Sequence, residues 1–121
     1  MTKLLLIEDD IFLVKVYKLK LEKIGYEVKY LESGEGALEL AIDYQPDLIL
    51  LDIIMPIKDG FQVLTELKLN PATTGIPVLI LSSLQMDKDI AHGKSLGAKE
   101  YLAKAHHTFD QVMETVKNLT A

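Results

Sequence analysis

Four places in the chain carry residues that could do chemistry. Glu8-Asp9-Asp10 follows the apolar run Leu4–Ile7, and Asp52 follows Leu48–Leu51. Ser82-Ser83 follows Ile76–Leu81, and Lys104 follows the short run Lys99–Ala103. Carboxylates brought together repel one another and lose hydration. Such a cluster is stable only beside a positive charge. A hard cation such as Mg²⁺ suits carboxylate and carbonyl oxygens while keeping several waters; Lys104 could supply a fixed charge. Each residue alone has an ordinary structural reading. Asp9 or Asp10 can cap the helix that starts near Ile11. Asp52 can be a turn residue, Ser82 a cap, and Lys104 a solvated surface lysine. Asp59-Gly60 is read as a turn and a helix cap, not as part of the cluster. The weight lies in the pattern, because all four places fall at the end of a strand-sized run.

The elements that must position these residues alternate along the chain. Lys3–Ile7, Asp47–Leu51 and Pro77–Leu81 are continuous apolar runs of strand length, as expected for strands covered on both faces. Glu27–Leu31 is half polar and suits a sheet edge, and Lys99–Ala103 is a short fifth strand. Helical spacing runs over Ile11–Ile24, stopped by Gly25 in a left-handed cap. It recurs from a Ser33 cap to Tyr44, over Phe61–Leu69, from Met86 to Leu96, and over Phe109–Leu119. Five βα units imply an α/β fold with a five-stranded parallel sheet, doubly wound and flavodoxin-like. Right-handed crossovers favour the order 2-1-3-4-5, and function in such sheets sits at the carboxyl ends of the strands. That order makes strands 1 and 3 neighbours, which puts Glu8, Asp9 and Asp52 on one rim.

Composition narrows the classes. The chain has 121 residues, 49% hydrophobic and 26% charged, so it reads as one compact domain over residues 1–121. Its net charge is −5 and all of its basic residues are lysines. A nucleic-acid interface needs a basic face, so no direct nucleic-acid partner is expected. Without arginine there is no bidentate anion fork. No apolar run approaches the ~18 residues of a membrane span, and the acidic stretch at 8–10 breaks any leader-like pattern. No membrane insertion is expected, and the expected location is the cytoplasm; the lack of cysteine agrees.

With these residues in place, the chain resembles a response-regulator receiver domain, the phospho-accepting module of two-component signalling. The matching segments are Leu4–Asp10, Asp47–Pro56, Asp59-Gly60, Pro77–Ser82 and Gly97–Lys104, with Asp9 and Asp52 43 residues apart, Asp52 and Ser82 30 apart, and Ser82 and Lys104 22 apart. The resemblance implies that Asp52 is the phosphoacceptor, the nucleophile that becomes an aspartyl phosphate. It implies an Mg²⁺ (or Mn²⁺) held by Asp9, Asp52 and the backbone carbonyl of Ile54, with Glu8 acting through a metal-bound water. Lys104 and Ser82 would contact the phosphoryl oxygens, and Tyr101 would be the switch aromatic that moves inward when Ser82 is drawn to the phosphate. The implied donors are a histidine kinase or a histidine phosphotransfer protein. The implied docking and dimer face is helix 4, strand 5 and helix 5, roughly Met86–Leu119. No output domain is expected within this chain, and no activity beyond its own phosphoryl transfer and dephosphorylation.

The chain departs from the family pattern after Lys104, where proline in a cis peptide is usual and Ala105 stands instead. A cis non-proline bond costs ~3–4 kcal/mol. A trans bond and a reshaped loop through Ala105-His106-His107 are therefore expected. The two histidines are read as a loop pair rather than a metal site, because no third ligand lies nearby in sequence. His92 is expected to be solvated. Ile54 and Leu84, two residues after Asp52 and Ser82, are apolar and cannot orient an attacking water, which implies slow loss of phosphate. Two other functions are weighed. An aspartate-nucleophile phosphatase needs a general acid where Ile54 stands. A receiver-shaped interaction module that is never phosphorylated has the Ala105 departure in its favour and the complete Asp9, Asp52, Ser82 and Lys104 set against it.

Overall fold

The structure is a computed structural model that describes residues 1–121. The strands are β1 (Lys3–Ile7), β2 (Glu27–Leu31), β3 (Leu48–Leu51), β4 (Val78–Ser82) and β5 (Glu100–Ala103). The helices are α1 (Ile11–Lys23), α2 (Ala37–Tyr44), α3 (Gly60–Leu69), α4 (Asp87–Ser95) and α5 (Phe109–Thr120). All strand pairs are parallel, in the order β2-β1-β3-β4-β5. The α/β class, the strand order and the half-polar β2 at an edge are as the sequence implies.

The sheet separates two apolar layers. Leu5, Ile7, Ile49, Leu51, Val78, Ile80 and Tyr101 point to the side covered by α2, α3 and α4, where Ala41, Val63, Leu64 and Leu67 are buried. Their neighbours Leu4, Leu6, Leu48, Leu50, Leu79, Leu81 and Leu102 point to the other side, against Val14, Tyr17 and Leu21 of α1 and Val112 and Val116 of α5. Strand alternation of period two thus feeds both layers from runs that look uniformly apolar in sequence.

Local signals set most of the boundaries. Asp10 is the α1 cap: its Oδ1 accepts from the backbone N–H of Phe12 at 3.0 Å and of Leu13 at 3.4 Å. Gly25 follows the end of α1 with φ +105°. Asp59 and Gln62 form a reciprocal capping box on α3, and Thr108 and Gln111 form another on α5. One expectation fails: Ser33 does not cap α2. The helix starts four residues later, at Ala37 behind Gly36, and the Ser33 hydroxyl accepts from Glu35 N–H in a local turn. A cause lies in the next residue. Any Cβ on Gly34 would overlap the Lys58 carbonyl oxygen and the Val63 side chain. The chain is pressed flat against the loop after β3 there, and it turns into a helix only once past it.

Candidate functional site

The register puts the ends of β1, β3, β4 and β5 side by side. Ile7 pairs with Leu51, Leu51 with Ile80, and Ser82 with Ala103. The residues that follow therefore converge. Glu8, Asp9 and Asp52 each bring a carboxylate oxygen within 4.8 Å of the others. Glu8 and Asp52 are buried, 2% and 5% exposed, while Asp9 is at the surface. Lys104 reaches in from the end of β5. Its Nζ lies 2.7 Å from Glu8 Oε1 and 3.7 Å from Asp52 Oδ2.

Each carboxylate is held by backbone. Asp52 Oδ1 accepts from Ile53 N–H at 2.8 Å, and Glu8 Oε2 accepts from Asp10 N–H at 3.2 Å. Asp52 itself is anchored through its N–H to the Ile7 carbonyl, 2.9 Å away. The charges still do not balance: three carboxylates face one ammonium. Burial pushes the Glu8 carboxyl above its usual range, the Lys104 hydrogen bond pulls it back, and Asp52 pushes it up again. Asp9 is also raised, by partial desolvation first and then by Glu8. Beneath the cluster, burial together with Glu8 and Asp52 raises the Tyr17 hydroxyl to about 12. Three hard oxygen donors with an uncompensated negative charge fit a hard divalent cation.

Ser82 is fully buried, and its Oγ accepts from Leu84 N–H at 3.2 Å. Tyr101 lies one strand over. Its ring is 5% exposed, and its hydroxyl donates to the Leu84 carbonyl at 2.8 Å. It packs inward, not half-exposed as a plain strand aromatic would. After Lys104 the chain has no cis peptide. It turns through a short 3-10 segment, Lys104–His106, as expected where Ala105 replaces proline. His107 Nδ1 hydrogen-bonds with the Ala103 carbonyl at 3.0 Å, which ties the loop back to β5. His106 is exposed, and the pair gathers no third ligand. His92 is exposed, though its ring meets Phe61 edge-on at 4.5 Å.

Sequence reasoning missed two features of the rim. Gly60 is more than a turn residue: its N–H donates to the Ile53 carbonyl, and a Cβ there would overlap the Asp52 carbonyl oxygen and the Ile53 backbone. The start of α3 is therefore packed directly against the backbone of the site. The second is the turn between them. Lys58 N–H donates to the Pro56 carbonyl at 2.8 Å around Ile57, whose φ is +71°. This is the rare, strained hand of the γ-turn, on a β-branched residue that is 79% exposed.

The family model for the response regulator receiver domain matches residues 4–117, nearly the whole chain. The chain belongs to that family. It is similar to the protein PilH of Pseudomonas aeruginosa, 37% identical over 106 residues, covering 86% of this chain and 86% of PilH. It is also 38% identical to the transcriptional regulator RpaA of Synechocystis, over 86% of this chain and 43% of that protein. The probable transcriptional regulator ycf29 of Pyropia yezoensis is 38% identical over 98% of this chain and 53% of its own length. The chain thus spans about half the length of these two regulators. Among solved structures, the chemotaxis protein CheY4 of Vibrio cholerae superposes with a TM-score of 0.90 at 26% identity, covering 98% of both chains. The receiver fold expected from the sequence is the fold observed, and the chain is a phospho-accepting receiver. Receiver domains of this family are in general signalling modules that bind Mg²⁺ at an acidic site and act through kinases or phosphotransfer proteins and downstream targets. No helix here is long and apolar enough to cross a membrane.

Proposed function

We propose that the 121 residues act as one receiver domain whose phosphoacceptor is Asp52, fed by a histidine kinase or a histidine phosphotransfer protein in the cytoplasm. The observation that carries this reading is the meeting of Glu8, Asp9 and Asp52 within 4.8 Å, with the Lys104 ammonium between Glu8 and Asp52. A carboxylate oxygen of Asp52 attacks the phosphorus of a phosphohistidine. The new bond is an acyl phosphate, the P–N bond breaks, and the donor imidazole leaves with the nitrogen electron pair. Bound Mg²⁺, or Mn²⁺ in its place, would neutralise phosphoryl oxygens during this exchange. Asp9, Asp52 and the Ile54 carbonyl are the residues that would hold it, with Glu8 acting through a water. Lys104 would turn from the carboxylates to a phosphoryl oxygen, and the Ser82 hydroxyl would donate to another.

Movement of Ser82 then acts on Leu84, whose N–H it holds and whose carbonyl holds Tyr101. This is how Tyr101 would link phosphorylation to the face of α4, β5 and α5, where a downstream protein or a second copy docks. The domain performs no catalysis beyond forming and losing its own phosphate. Ile54 is 52% exposed and apolar, so it offers no group to orient a hydrolytic water, and the phosphate should persist for minutes rather than seconds. An aspartate phosphatase would need a proton donor at that position.

The test is intact mass after incubation with Mg²⁺ and acetyl phosphate. A gain of one phosphoryl group (~80 Da) is expected for the wild type only. Asp52→Asn or a chelator should abolish it completely. No gain with acetyl phosphate or with a phosphorylated histidine phosphotransfer protein would leave a receiver-shaped interaction module.

A further inference from the structure

Gly93 lies in the last turn of α4, and within a helix glycine is the least favourable residue after proline. Nothing in its backbone calls for it. The glycines with positive φ are Gly25, Gly36 and Gly97, and Gly93 is not among them. Its reason is space. A Cβ built on Gly93 would lie 2.8 Å from Ile80 Cδ1 and 2.9 and 3.2 Å from Cδ2 and Cε2 of Tyr101. Real Cβ atoms do not approach that closely, so something would have to move. The Ile80 methyl is the end of a flexible chain and can turn away. The Tyr101 ring cannot yield alone, because it is flat and its hydroxyl is tied to the Leu84 carbonyl at 2.8 Å.

The rest of α4 does little to fix the distance. Gly93 is the only buried residue of the helix, and Met86 supplies no side-chain cap. Ile90 and Leu96 are half-buried partners of the core beneath. The one buried residue that α4 sets against β5 is thus a glycine, packed on the Tyr101 ring with no room for a side chain. We infer that Gly93 is a positioning residue: the missing side chain at 93 is the seat of the Tyr101 ring, and it sets how the α4–β5 part of the partner-binding face is shaped. Its regulatory meaning rests on the reading of Tyr101 as the link to Asp52.

The test is a double-mutant cycle with an NMR readout. Wild type should show a nuclear Overhauser contact between the Tyr101 ring and the Ile80 δ-methyl, and Tyr101→Phe should keep it. Gly93→Ala should lose it, with a fall in Tm, while taking up phosphoryl on Asp52 as the wild type does. In a Tyr101→Ala background the ring is gone, so Gly93→Ala should instead raise Tm, because alanine is the better helix former. This reversal of sign would be seen even if the single variant folds poorly. A Gly93→Ala protein that keeps the ring contact and gains stability in both backgrounds overturns the inference. If wild type takes up no phosphoryl group but the sign reverses, the seat stands and the proposed function fails. If uptake occurs and the sign does not reverse, the function stands and the seat is wrong.

Discussion

Helices α3 and α4 flank the same side of the sheet and are built in opposite ways. The first begins with a reciprocal capping box, buries Val63, Leu64 and Leu67, and presses Gly60 onto the backbone of Asp52. The second has no side-chain cap and buries one glycine. Both follow strands whose ends carry site residues, Asp52 and Ser82. The difference teaches a division of labour around the rim. The β1–β3 side must hold three carboxylates in a fixed relation, which caps, packing and close backbone contact achieve. If Ser82 and Tyr101 couple as proposed, the β4–β5 side has to change shape, and a weakly anchored helix would permit that.

The largest break in this comparison should come from truncating each helix in turn. Leu64→Ala removes a fully buried side chain and should cost ~2–5 kcal/mol in urea unfolding. Ile90→Ala, half-buried on α4, should cost about 1 kcal/mol. Equal costs would mean that α4 is anchored as firmly as α3. Next in size is the metal. With Mg²⁺ at a hundred times its dissociation constant the wild type should gain ~2.7 kcal/mol. Chelation should remove the gain, and Asp9→Asn should show little of it. A smaller effect tests the strained turn that joins Asp52 to α3. Ile57→Gly removes a positive-φ β-branched residue, and thermal unfolding should show a gain of about 1 kcal/mol. No gain would mean that the turn is not held in place by its surroundings.

The smallest effect is a pH slope. Glu8 is raised in the folded state above its ordinary 4.5, so the native protein binds that proton more tightly than the unfolded chain. Stability from this source is present at low pH and is lost as pH rises from 4.5 through the folded-state value. Urea midpoints in chelated buffer should therefore show Glu8→Gln gaining on the wild type across that window and levelling off above it. A gap between the two that stays constant with pH would show that burial, with Asp52 beside it, does not raise Glu8 in the folded protein.

Much of this was legible in the residues because strand-sized apolar runs ended in chemistry. Asp52 stands directly after Leu48–Leu51, and a parallel sheet with strands 1 and 3 adjacent leaves Glu8 and Asp9 no place but beside it. Asp59, and one of Asp9 and Asp10, read as caps because capping is local, a side chain meeting backbone two or three residues on; the structure gives the α1 cap to Asp10. What was not legible depends on distant contacts. Ser33 looked like a cap, but Gly34 is pressed against Lys58 and Val63, and helical spacing cannot register that. Gly60 looked like a turn residue, and Gly93 drew no reading of its own within its helix. Their roles appear only when the backbone of Asp52 and the ring of Tyr101 are seen against them. Ile57 could not be read as strained, since nothing in its neighbours announces a γ-turn.

The sheet also works as a partition. Tyr101 belongs to the layer under α2, α3 and α4, while Leu102, the next residue, belongs to the layer under α1 and α5. Substitutions that compensate one another should therefore pair within a layer, and each half of the interior can drift through sequence space at its own pace. A partner that grips α4, β5 and α5 touches both halves at once. Its binding surface is then inherited from two separate mutational histories, one of which also carries the residues around Asp52. Descendants of such a chain could change partners through α4 while the α1–α5 layer, whose Tyr17 lies beneath Glu8 and Asp52, stays as it was.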